Sequence, residues 1–159
     1  MRPSNAELLE SIAQALEDQV GPLVQDQWAA STLRSAVQLL RHVAIRGVRE
    51  PGLLAEDRAD VRSVLEAVRA RLAGAGLPEL EHAVTTALGV AAREPADAAA
   101  AAGCDDACQV AVERLIAARA AVRQATGGVE IETLLSAYLG RRLARERELY
   151  LPVFLGPPF

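Results

Sequence analysis

Asp60-Val61-Arg62-Ser63-Val64-Leu65-Glu66-Ala67-Val68-Arg69-Ala70-Arg71-Leu72 places its large apolar side chains at 61, 64, 65, 68 and 72, with charged or small residues at every position between. A half-buried strand alternates every second residue, whereas spacings of three and four put these five side chains on one stripe of an α-helix. A helix over about 56–72 is predicted, ended by Gly74-Ala75-Gly76. The same period recurs on either side, which makes the chain an antiparallel bundle of five to six helices.

Downstream, Pro78 suits the first turn of a helix with Glu79 and Glu81 near its positive end, and Leu80, Val84, Ala87, Leu88 and Ala91 form its inner side until Glu94-Pro95. Residues 96–103 are mostly Ala; they have high helix propensity but little to bury, so helical extension, frayed turn and linker all remain open. Asp106 is read as the cap of a fifth helix running through Val112, Leu115, Ala118 and Val122 to about Gln124, closed by Thr126-Gly127-Gly128. A sixth takes Ile131, Leu134, Leu135, Tyr138 and Leu139 and becomes heavily charged from Arg141 to Glu148. The end, residues 150–159, is apolar and rich in Pro, cannot be helical throughout, and is separated as a docking tail from a single bundle domain at 1–149.

Upstream, Ser4 stands three residues before Glu7, a capping-box spacing that starts the first helix. Leu8, Ile12, Leu16, Val20 and Leu23 mark one face of it, with Leu9, Ala13 and Gln19 at the border. Gly21-Pro22 implies a kink, or a stop and restart before Trp28. The second helix is expected over about 31–48, with Leu33, Val37, Leu40, Ala44 and Gly47 or Val48 inward, ended by Glu50-Pro51-Gly52 and followed by a loop pair, Leu53-Leu54.

Composition agrees with a helical core. Apolar residues make up 51% of 159 but aromatic ones only 3%, so Leu, Val, Ile and Ala must fill the interior, and Ala-rich cores belong to close-packed helices. A net charge of -4, from 17 basic and 21 acidic residues, argues against a dedicated nucleic-acid binder. No run is long and apolar enough for a membrane span, and Met1-Arg2-Pro3-Ser4-Asn5 lacks the apolar core of a secretory signal. With two cysteines too few for a disulfide scaffold, the expected location is the cytoplasm.

Charge is divided unevenly between the first two helices. The first carries Glu7, Glu10, Glu17, Asp18 and then Asp26; the second carries Arg34, Arg41, Arg46 and Arg49 with no acid before Glu50. One reading is pairing between neighbouring helices. The other is an anion site at Arg34, Arg41, His42, Arg46 and Arg49, since guanidinium forks match phosphate and carboxylate oxygens. Metal chemistry is not expected: Glu79 and His82 form one bundle-type ligand pair, but residues 39–41 before His42 supply no second. Cys104 and Cys108 lie four apart, yet with Asp106 as a cap Cys104 falls outside the helix, and no further close Cys or His pair completes a zinc site. Phosphate-loop, dinucleotide and nucleophile-elbow signatures are absent, so neither a catalytic residue nor a cofactor is assigned. Phe154 and Phe159, the only two Phe, must pack somewhere with Leu155, either back across their own bundle or onto a second subunit or another protein, with Tyr150 and Trp28 as the aromatic neighbours in either case.

The opening Arg2-Pro3-Ser4-Asn5-Ala6-Glu7-Leu8-Leu9-Glu10, with Leu33-Arg34-Ser35-Ala36-Val37-Gln38-Leu39-Leu40-Arg41, resembles a family of small bacterial helical proteins of unknown function. Its members are often encoded beside acyl-CoA dehydrogenases and phosphotransferases of the aminoglycoside or choline kinase type. The resemblance covers the first third and implies an accessory role near such metabolism, with no active site to transfer. The expected function is therefore a non-catalytic interaction or accessory protein that self-associates or partners a metabolic enzyme. Its alternatives are a binder of a small anionic or acyl-phosphate ligand at the second helix, and an enzyme of unidentified class.

Overall fold

The Ser4 capping box forms as its spacing predicts. In the computed structural model, the Glu7 amide donates to Ser4 Oγ at 3.2 Å and the Ser4 amide donates to the Glu7 carboxylate at 2.7 Å. The structure describes the backbone of residues 2–93 and 98–154, and the side chains of residues 2–93 and 102–150. It is all-α, with six α-helices and no strand among the described residues: α1 Asn5–Ala15, α2 Gln27–Leu72, α3 Pro78–Ala91, α4 Ala98–Ala117, α5 Arg119–Gln124 and α6 Gly128–Phe154.

The chain divides into two compact units, residues 1–55 with 143–159, and residues 56–142. The second holds one continuous core. Val61, Val64, Leu65, Val68 and Leu72 of α2 are all buried, together with Val84, Ala87 and Leu88 of α3, Val112 and Leu115 of α4, and Ile131, Leu135 and Tyr138 of α6. Gly74 and Gly76 turn the chain out of α2 at φ +79° and +75°, a backbone region that costs other residues strain. Helices in this unit run antiparallel. Gly127, before α6, lies beside Arg71 at the end of α2, while Tyr138 further along α6 bonds Asp57. Likewise Cys104, early in α4, donates to the carbonyl of Val90, late in α3.

In the first unit, α1 ends in a π-turn over Leu16–Val20 and a 3-10 turn over Gly21–Leu23, and the chain restarts as a helix just before Trp28. Asp26 caps that restart by accepting from the Ala29 amide at 2.8 Å, so the helix begins before the expected 31. α1 also presents a different face from the one its largest residues mark. Ala13 is buried and Leu9 and Leu16 are half-buried, whereas Leu8, Ile12, Val20 and Leu23 are exposed. In the part of α2 that belongs to this unit, Val37 and Ala44 are buried and Leu33 and Leu40 are half-buried.

Four boundaries differ from expectation. Glu50-Pro51-Gly52 does not end a helix: α2 runs unbroken for 46 residues with Pro51 inside it, and Leu53-Leu54 is helical. Pro51 is exposed and its missing amide forfeits one hydrogen bond. Arg46 spans the turn ahead of it by an i,i+4 pair with Glu50. Asp106 lies inside α4, which already begins at Ala98, so the Ala run is helical from there on; residues 96 and 97, like Glu94-Pro95, lie outside the described residues. The expected fifth helix is broken at Ala118 into α4 and α5. Finally, α6 carries helix through Pro152 to Phe154, and Leu155–Phe159 lie outside the described residues.

Candidate functional site

The basic half of α2 is where the sequence concentrates its candidate ligands, and the structure separates them. Arg41 reaches across to α1, donating to Glu10 at 3.1 Å and, fork to fork, to Glu17 at 2.9 and 2.6 Å. These acids, Glu17 first, hold the guanidinium above its ordinary pKa. Arg46 is engaged by Glu50, whose carboxylate it keeps below the ordinary range. Arg34 and Arg49 are exposed and have no ion pair among the described residues. Fifteen residues apart on one helix, they stand about 22 Å from each other, too far to clamp one small anion.

His42 stacks on Tyr150, ring centres 5.7 Å apart, and its Nδ1 is buried with no hydrogen-bond partner. Tyr150 is thus half of an aromatic pair within the first unit. Trp28, the other expected anchor, is 79% exposed. The side chains of Phe154, Leu155 and Phe159 lie outside the described residues.

What the sequence reading missed is an outward apolar stripe on α2. Trp28, Leu39 and Val43, eleven and four residues apart, fall on one face of the helix and are 79%, 63% and 54% exposed. Thr32 and Ser35 lie between them, and their hydroxyls donate to the helix's own carbonyls at Trp28 and Ser31, at 3.0 and 3.1 Å. Those polar members are therefore already satisfied. The available signal was Leu39-Leu40 followed by Val43-Ala44, which puts apolar residues on two faces of one helix.

Two concavities lie within the second unit among its described residues. A cleft of about 690 Å³ between α4, α5 and α6 is walled by Ile116, Val122, Val129 and Leu135 and rimmed by Arg119, which donates to Glu132 at 2.6 Å. A smaller one, about 190 Å³, is lined by Cys104 and Cys108, which share one face of α4. Their placement on one helix corrects the expectation that Cys104 stands outside it. Among the described residues no group of three His, Cys, Asp or Glu is arranged to hold a metal ion, and no helix is long and apolar enough to cross a membrane. Comparison with protein-family models, curated proteins and solved structures finds no match.

Proposed function

We propose that this chain is a non-catalytic helical interaction protein whose outward stripe on α2 is its assembly surface, with a second copy of the chain as partner. The observation that carries this reading is the stripe itself. Trp28, Leu39 and Val43 extend over about 22 Å of helix, and burying such side chains is worth about 1.5–3 kcal/mol each. In the first unit only small or medium side chains, Ala13, Val37 and Ala44, are fully buried among the described residues, so most of its large apolar surface lies outward. An isologous contact would cover the same stripe twice, and exposed Leu8 and Ile12 of α1 add further apolar area.

Light scattering tests it. The full chain is expected as a dimer that Leu39→Glu converts to a folded monomer. A monomeric full chain at high micromolar concentration overturns self-association; the stripe then awaits a different protein, for which the resemblance to the bacterial helical family suggests an enzyme of acyl-CoA or small-molecule kinase metabolism. If a chain ending at Glu148 is monomeric while Leu39→Glu is not, the contact belongs to the C-terminal end.

One observation favours a second reading, a small anionic or acyl-phosphate ligand near Arg46 and His42: the buried, unpartnered His42 Nδ1. Titrating acetyl phosphate or inorganic phosphate while following the His42 ring resonances tests it, and unchanged resonances at millimolar ligand dismiss it.

A further inference from the structure

The small cavity of the second unit combines features that serve neither the core nor the α2 stripe. Cys104 and Cys108 line it one turn apart on α4, and Arg58, Arg62 and Arg93 approach from α2 and from the residues after α3. Asp105 also lies there, but it is committed to Arg58 through contacts of 2.7, 3.0 and 2.7 Å. Arg62 is shared with Glu66 on its own helix at 3.1 Å, an exposed pair that holds it loosely. Arg93 is exposed and has no ion pair among the described residues. Among the described residues that line the cavity, three guanidiniums thus stand with one carboxylate, that of Asp105.

The two thiols are not equivalent. Cys108 is buried, and its surroundings, burial first, push the thiol above its ordinary value, so it stays protonated and inert. Cys104 is half-exposed, and its only hydrogen bond among the described residues is a long donation to the Val90 carbonyl at 3.5 Å. A cavity of about 190 Å³ is too small for a coenzyme or a peptide helix, yet it admits the end of a small thiol compound.

We propose that Cys104 is a covalent capture site for small disulfides that carry carboxylates, with Arg93 steering and then holding the anionic group. In the exchange the Cys104 thiolate attacks one sulfur of RS–SR. The Cys104–SR bond forms as the old S–S bond breaks, and RS⁻ leaves with the electron pair and takes up a proton. Cys104 is oxidised and the departing thiol is reduced, so the disulfide is the sole oxidant.

The test compares the dianionic aryl disulfide dithiobis(nitrobenzoate) with the dicationic cystamine, each rate divided by that reagent's rate with a small free thiol. Peptide mass analysis is expected to place the adduct on Cys104, with the anionic reagent favoured by about tenfold at low salt and the advantage shrinking as salt rises. Arg93→Gln, a change at an exposed side chain, is expected to remove most of that preference by slowing the anionic reagent, while cystamine, which the guanidinium repels, reacts no more slowly than before. Equal normalised rates, a preference untouched by Arg93→Gln, an adduct on Cys108 instead, or no adduct each overturn the proposal. Cys108→Ala, expected to leave the rate intact, keeps the count at one thiol.

Discussion

Tyr138 is the one aromatic side chain in the described core, and its hydroxyl is fully engaged there. It accepts from Gln109 and donates to Asp57, both at 3.2 Å, and Gln109 is in turn held by Arg142. Tyr138→Phe leaves the ring in place but strands those partners, so it is expected to cost about 1–2 kcal/mol in urea unfolding. Burial foremost, with the Asp57 carboxylate adding to it and Gln109 opposing, raises the phenol above its ordinary 10.0. The unfolded chain therefore releases this proton first. Stability is full below pH 10 and falls as pH rises through the folded value. Tyr138→Phe should flatten that alkaline decline, leaving the share from the Cys108 thiol, which burial lifts above 9.0. An unchanged alkaline slope would mean that Tyr138 is not the titrating group.

At the scale of elements, two glycines separate backbone strain from steric conflict. Gly74 has φ +79° and nothing within 4 Å of where an alanine methyl would stand, so Gly74→Ala should cost about 1–2 kcal/mol, a purely conformational penalty. A Cβ on Gly128 would meet the Val122 carbonyl oxygen at 1.9 Å, which requires α5 and α6 to part; Gly128→Ala should cost about 3 kcal/mol or more. Pro51 works in the opposite direction. Exposed inside α2, it should yield a stability gain of about 1–3 kcal/mol when changed to Ala, read from the unfolding midpoint. These positions also show what sequence reasoning can see. The stripe from Val61 to Leu72 was legible because burial enforces its period, and the Gly74 stop because positive φ selects glycine. Continuity through Pro51 was not, since a lost hydrogen bond looks like a helix end when the flanking turns are unseen. The Ala run before Cys104 was equally ambiguous, because alanine favours helix without burying enough to demand it.

For the whole molecule, stability should be uneven. Hydrogen exchange is expected to be slowest at Val61–Leu72, Val84–Leu88 and Ile131–Tyr138, whose inward side chains share one core, and fastest over α1, where Ala13 alone is buried. Comparable protection in α1 would show that its outward residues are covered in solution. Acid should weaken the fold as well. Glu7, Glu50 and Glu132 are held below 4.5 by Ser4, Arg46 and Arg119 respectively, so their contribution is present above that pH and is lost as pH falls through their lower folded values. The pairing of Arg41 with α1 was legible from the charge asymmetry of the two helices. The outward stripe was not, because neighbouring Leu39 and Leu40 look alike until one knows which of them faces a neighbour. That stripe has an optical consequence. The chain's single tryptophan, Trp28, is 79% exposed at one end of it, so its emission should begin red-shifted and barely respond to denaturant in the isolated chain. A blue shift that grows with protein concentration would then be a spectrum of assembly, and a fluorescence melting curve would record subunits parting while the helices remain intact.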